Sequence, residues 1–264
     1  MRIKVIVPFP LGEDEVRLRA SQLRPTLLGA GVEVDYQPVR ASGELADSPY
    51  DNLLIDMYID MYIVQAGLRS EQEGYDAVCI DTASDSGVAA LRSRLDIPVV
   101  GPGHAAASVA CLLGRKFSVI STFDRWADNC RRSLVGHELG HKVASYRSLD
   151  VGAPDVGRLL TDKPEVIAAL GDLAESAISD DGADVIVLAS TTMHQAAAAL
   201  AERLPVPVID PGPWSVRLAA DMVLLGASQS KRAYPAPARP RDDLFRALPG
   251  VPGFEPPVVT ITSH

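Results

Sequence analysis

Short β-branched runs ending in Pro, Gly or a small polar residue alternate along this chain with longer stretches of helical periodicity. IKVIV at 3–7, VEVDY at 32–36, AVCI at 77–80 and PVV at 98–100 form one series, and FSVIS at 117–121, VASYRSL at 143–149, DVIVLAS at 184–190 and PVPVI at 205–209 form a second. The halves repeat each other. Each contains a late strand written small, acidic, Val, Ile (YDAVCID and GADVIVLA), a tip of small hydroxyl residues, an Ala-rich helix and a strand of the form x-I/V-P-V. Strands that alternate with helices predict an α/β fold of parallel sheets, each flanked by helices. IDMYIDMYI at 55–63 stacks Met57 on Met61 and Tyr58 on Tyr62 if helical, which predicts core or subunit packing, with a homo-oligomer joined through this helix. WSVRLAADMVLLG at 214–226 reads as a final amphipathic helix, and the Pro-rich stretch from Lys231 onward as a tail over the surface or a neighbour.

Composition narrows the class. With 264 residues, 47% hydrophobic and 22% charged, the chain has the mix of a globular protein with real cores. Asp and Glu number 34 against 25 Lys and Arg, a formal charge of −9 that repels a polyanion, so nucleic acid is not an expected partner. Three cysteines, at 79, 111 and 130, make no disulfide framework and fit a reducing cytoplasm. MRIKVIVPFPLGEDE has too short an apolar run for a signal peptide, and no stretch reaches the roughly 18 apolar residues of a membrane span.

In open α/β sheets ligands gather outside the carboxyl ends of strands. The tips are therefore the candidate site: Pro8-Phe9-Pro10, Asp81 to Asp85, Gly101-Pro102-Gly103-His104, Ser121-Thr122, and Ser190 to His194.

Read in order, MRIKVIVP, YDAVCIDTASDSG, LDIPVVGPGHAAASVACLLGRKFSVISTFDR, GADVIVLASTTM and PVPVIDPGPWSVRLAADMVLLGASQSKRAYPAP resemble the aspartate/glutamate/hydantoin racemase superfamily, most closely its hydantoin and allantoin racemase branch. The resemblance implies two pseudo-symmetric α/β lobes, residues 1–100 with 212–230 and residues 101–211, an active site between them, and a C-terminal tail at 231–264. It also implies cofactor-independent removal of a proton next to a carbonyl, which members perform with two facing cysteines. Here Thr82 and Ser190 stand at those two places. A thiolate accepts a carbon-bound proton near neutral pH, whereas an aliphatic hydroxyl has to be activated by a neighbouring base. None of the three cysteines is placed to substitute; Cys79 lies inside a strand, and all three read as small buried hydrophobes. The Asn-Pro-Asn stretch that follows the family's first strand is Pro8-Phe9-Pro10 here, and the acid of its Gly-x-Gly-x-Ala-Ala turn is His104.

Thr82, Ser190, Ser84, Thr191 and Thr192, with Ser121 and Thr122, are expected to hold a carboxylate or enolate oxygen through hydroxyl and backbone N–H donors, although Ser and Thr are also ordinary helix caps. Pro8 and Phe9 are expected at the substrate mouth. His104 is the leading base; Asp81, as base or as a solvated strand-end carboxylate, and His194, one helical turn after Ser190, are the others. Asp85 is expected to fix its loop or cap a helix. His137-Glu138-Leu139-Gly140-His141 satisfies the H-E-x-x-H zinc pattern, but Gly136 and Gly140 mark a helix end, away from the site, and no metal is expected.

The leading expectation is a cytoplasmic, non-thiol isomerase, lyase or ring hydrolase acting next to the carbonyl of a small carboxylate or cyclic amide. A conventional hydantoin-type racemase using other bases, or a protein that binds small acids without turning them over, are the alternatives. Deuterium exchange of the substrate α-proton separates the first two, and turnover set against mere thermal stabilisation separates enzyme from binder.

Overall fold

A computed structural model describes residues 1–40, 48–149 and 163–263; residues 150–162 of the expected second half and His264 of the tail lie outside it. All eight expected strands form, within a residue or two at most ends. The chain packs as two compact units, Met1–Asp81 with Ser86–Gly101 and Ser215–His264, and Thr82–Asp85 with Pro102–Trp214.

The first unit is built on β1 (Arg2–Val7), β2 (Glu33–Pro38), β3 (Ala77–Ile80), β4 (Val99–Val100) and β9 (Val259–Thr262), in the order β4-β3-β1-β2-β9. Ile3, Val5, Ile6 and Val7 are all buried, as a central strand covered on both faces requires. Lys4 interrupts that run; its ammonium donates to the Ala66 carbonyl and the Glu73 carboxylate, each at 2.9 Å, which supplies the partners a buried charge needs. Helices α1 (Glu13–Ala20), α2 (Pro49–Gly67) and α3 (Val88–Arg94) join the strands. In α2 the Tyr58 and Tyr62 rings stack with centroids 6.2 Å apart, as their spacing of four predicts, and Ile59, Tyr62 and Ile63 enter the core. Tyr50, Leu53, Met57 and Tyr58 of the same helix are exposed.

Two expectations are corrected here. The sheet is not wholly parallel, because β9 pairs antiparallel with β2, placing Val259 opposite Tyr36. The tail is accordingly part of this unit. Gln229 accepts the Val99 N–H at 3.0 Å and donates to the Leu95 and Ile97 carbonyls at 2.7 and 2.9 Å, so a side-chain amide satisfies backbone groups around β4 at the sheet edge.

The second unit carries β5 (Phe117–Ser121), β6 (Val143–Ser148), β7 (Val185–Leu188) and β8 (Val208–Ile209), all parallel, in the order β6-β5-β7-β8. Helices α4 (Pro102–Leu113), α5 (Asp124–Gly136), α6 (Pro164–Ser179) and α7 (His194–Arg203) belong to it, and α8 (Pro211–Leu224) starts in it. Ile120, Ile186, Leu170, Ala174 and Leu200 form its core on one face of the sheet. Before β7, the Asp184 carboxylate accepts the backbone N–H groups of Arg115 and Lys116 at 2.9 and 3.1 Å, which holds it below the usual carboxylate range. No described helix is long and apolar enough to cross a membrane.

Candidate active site

The strand β3 ends at Ile80, and the next residue is fully committed. Asp81 is buried; the Arg19 Nε–H donates to its Oδ2 at 2.8 Å, a second Arg19 N–H to its carbonyl at 3.1 Å, and the Gln22 amide to its Oδ1 at 3.2 Å. The expectation of a solvated strand-end carboxylate is therefore overturned. Both oxygens are held by residues from the end of α1 and just after it, and an ion pair this buried requires such partners.

From Thr82 the chain joins the second unit. The Thr82 and Ser84 hydroxyls are 3.0 Å apart, and the Asp85 N–H donates to the Thr82 carbonyl at 3.1 Å. This turn puts Asp85 in the left-handed region, φ 57°, which Asp tolerates better than most residues. Its carboxylate then reaches the start of α4, accepting the Gly103 N–H at 2.8 Å and the His104 N–H at 2.7 Å. Asp85 thus caps α4, where an acid also meets the positive end of the helix. A Cβ on Gly103 would stand 2.2 Å from the Ala83 carbonyl oxygen, so only glycine lets loop and helix approach this closely.

The His104 ring lies flat against a second imidazole. His104 and His137 stack with centroids 4.0 Å apart and planes 5° from parallel, and the His137 Nε2 is 3.5 Å from Asp85 Oδ2. The expectation that the H-E-x-x-H segment lies away from the site is thereby corrected. The helix does end there: His137 is the C-cap of α5, Glu138 turns left-handed at φ 60°, and His141 sits in a separate 3-10 turn. The two histidines of the motif therefore do not share a helical face, and no described group of three His, Cys, Asp or Glu could hold a metal ion.

The tip after β7 is held from α5. The Ala189 carbonyl accepts the Trp126 indole N–H at 2.6 Å and the Cys130 S–H at 3.4 Å, donors one helical turn apart. Ser190 caps the short 3-10 turn Thr191–Met193: its Oγ accepts the Thr192 N–H at 3.2 Å and lies 2.8 Å from the Thr192 hydroxyl. Thr191 is buried and Thr192 exposed, and the His194 Nδ1 sits 3.2 Å from the Thr191 carbonyl. Ser121 is buried and spends its hydroxyl on Phe123, donating to the carbonyl at 2.9 Å and accepting the N–H at 3.2 Å; Thr122 beside it is buried too.

A small, mainly apolar hollow joins these pieces. Ala83, Gly103, Leu188 and Ala189 line it, which brings the neighbours of Thr82, His104 and Ser190 around one space, and Cys130 forms part of its wall. Burial, with a smaller contribution from Asp85, pushes the Cys130 thiol up to about 12. Cys79, in the first unit, is buried likewise and also pushed up to about 12, its S–H 3.6 Å from the Ser215 carbonyl. Pro8 is buried, and the half-buried Phe9 packs on the first unit's core beside residues such as Ile6 and Tyr62.

An α/β fold of two sheets flanked by helices is that of the Asp/Glu/Hydantoin racemases. The chain belongs to that family, which matches residues 42–219. It is 30% identical over 182 residues to a hydantoin racemase of Pseudomonas sp. (strain NS671), covering 67% of this chain and 72% of that one. With a hydantoin racemase of Paenarthrobacter aurescens it shares 32% identity over 174 residues, 64% and 71% of the two chains. The crystal structure of an allantoin racemase from Pseudomonas fluorescens superimposes with a TM-score of 0.78 and 27% identity, covering 91% of this chain and 99% of that one.

Proposed function

We propose that this protein is an enzyme that moves a proton at the carbon next to a carbonyl, in a small cyclic amide or carboxylate, with an imidazole in place of a thiolate as base. The observation that carries this reading is the setting of His104: half-buried at the start of α4, fixed by Asp85 through its backbone, and next in sequence to Gly103, which lines one hollow with Ala83 and Ala189, the neighbours of Thr82 and Ser190. His is the side chain whose ordinary titration range suits general base work near neutral pH. The thiols of Cys79 and Cys130, held far above that range, do not serve.

In this scheme the substrate C–H bond breaks, its proton goes to the neutral His104 ring, and the electron pair moves onto the carbonyl oxygen to give an enolate. The Thr82–Ser84 and Ser190–Thr192 hydroxyl pairs supply donors for that oxygen, matching charge that develops only as the bond breaks. Returning a proton to carbon completes the isomerisation. Asp81, held by Arg19 and Gln22, braces the end of β3, and the 3.2 Å approach of His194 to the Thr191 carbonyl gives that ring a place in its own turn. The named relatives, racemases of hydantoins and of allantoin, support cyclic amides as the substrate class.

The experiment is incubation with single enantiomers of 5-substituted hydantoins and of allantoin in deuterated water, followed by proton NMR and chiral chromatography. Loss of the α-proton signal with racemisation, undiminished by prior thiol alkylation, is the expected result. Stabilisation of the protein by these compounds with no exchange or product would make it a binder, and activity abolished by alkylation would restore a thiolate mechanism.

A further inference from the structure

We infer that Trp126 is a positioning residue for the tip after β7: its indole N–H, donated to the Ala189 carbonyl, sets the peptide from which Ser190 extends. The inference rests on the reading of Ser190 as a donor to the enolate oxygen, and concerns a residue to which the sequence pattern gave no role.

Ala189 is held at both of its backbone groups. Its N–H donates to the Ile120 carbonyl of β5 at 2.9 Å, continuing the parallel pairing of β5 with β7. Its carbonyl accepts the Trp126 indole N–H at 2.6 Å and the Cys130 S–H at 3.4 Å, both from α5. The indole is the stronger of these donors, since a thiol donates weakly. The described residues contain no cis peptide, and a planar trans peptide points its C=O and N–H in opposite directions. A carbonyl turned toward α5 therefore turns the Ser190 N–H away from α5 and fixes the plane from which the Ser190 side chain leaves. From there the Ser190 Oγ takes its place in the turn, accepting the Thr192 N–H at 3.2 Å. Helix α5 can deliver the indole because its start is tied to the neighbouring tip: Phe123, its N-cap, accepts from the Ser121 hydroxyl at 2.9 Å and donates its N–H back to that oxygen at 3.2 Å. A continuous run of contacts thus joins Ser121, Phe123, Trp126, Ala189 and Ser190, linking the tips of β5 and β7 within the second unit.

The test uses the full chain with Trp126 replaced by 3-benzothienylalanine, which keeps the two-ring shape and exchanges the N–H for sulfur, and separately by Phe. With a 5-substituted hydantoin as substrate, kcat is expected to fall by roughly tenfold in both variants with KM little changed, because a displaced donor is missed most where charge develops on the oxygen. A 5-fluorotryptophan at the same position, which retains the N–H, is expected to keep the wild-type kcat; a role in packing alone would follow ring size instead. The Ser190 amide signal in proton–nitrogen NMR, assigned by serine-selective labelling and its loss in Ser190→Ala, reads the positioning without any substrate. It is expected to shift in the benzothienylalanine and Phe variants and to hold its place with 5-fluorotryptophan. An unmoved Ser190 amide in variants that fold would overturn the inference, whatever the rate; should Trp126→Phe fail to fold, the benzothienylalanine variant decides alone. A shifted amide with undiminished turnover would leave Trp126 holding the tip and refute Ser190 as a donor in the reaction. Should the wild-type protein exchange no substrate proton, the function proposed above fails, and the amide signal still decides whether Trp126 sets this peptide.

Discussion

Cys79 and Cys130 each turn their S–H toward a buried carbonyl, of Ser215 and Ala189, and burial pushes both thiols up to about 12. At pH 8 such a group is thiolate in only about one part in 10⁴, and the ionised form is what alkylating reagents attack. Iodoacetamide at pH 8 is therefore expected to label Cys111, which is half-buried on α4, and to reach the other two only after denaturation. Mass spectrometry of the folded protein checks this, and rapid modification of Cys79 or Cys130 would contradict it. The burial of Cys79 and Cys130 was legible in the sequence, since free Cys favours the interior, but Cys111, expected to be buried likewise, is only half-buried on α4. The partners of Asp81 and His104 were not legible. Arg19 lies 62 residues from Asp81, and His137 meets His104 only because two helices pack end against start. The same glycines that rightly marked 136–140 as a helix end made the segment look peripheral, although helix ends are where rings can project toward a neighbour.

Among the elements, the loop Thr82–Asp85 and helix α4 are locked together by the smallest side chain available. With a Cβ at Gly103 only 2.2 Å from the Ala83 carbonyl oxygen, Gly103→Ala must push the loop away and loosen the Asp85 cap. Overpacking costs about 1–3 kcal/mol and a lost cap about 1 kcal/mol, so urea unfolding is expected to show a loss of roughly 2–4 kcal/mol, with activity falling as well. A change within ±0.5 kcal/mol would mean that the loop moves freely. At this scale the strands were readable, since β-branched runs bounded by Pro, Gly or small polar residues recur in the same order in both halves. The exception is β9: its sequence, VTIT, is an ordinary strand, but it follows a Pro-rich stretch that reads as tail, and nothing local says which sheet edge it will join. Long-range strand pairing is a tertiary fact that periodicity does not carry.

For the molecule as a whole, the helix α2 buries one side and exposes Tyr50, Leu53 and Met57, at 72, 62 and 53%, spaced to fall on one face. Such a face on a helix that already fills its core positions suits a second copy of the chain. Sedimentation at micromolar concentration is expected to give a multiple of the 28.1 kDa chain mass, and Leu53→Glu with Met57→Glu to shift it toward the monomer; a monomeric wild-type protein would contradict this. The family and the two-sheet α/β architecture followed from collinear sequence blocks, whereas the chemistry depends on which side chain now takes the proton. That claim is tested most directly by His104→Gln in the deuterium-exchange assay. The account expects kcat to drop by on the order of 10²-fold with KM nearly unchanged, the signature of a lost general base. Exchange at the wild-type rate would contradict it and move the search for the base to another residue.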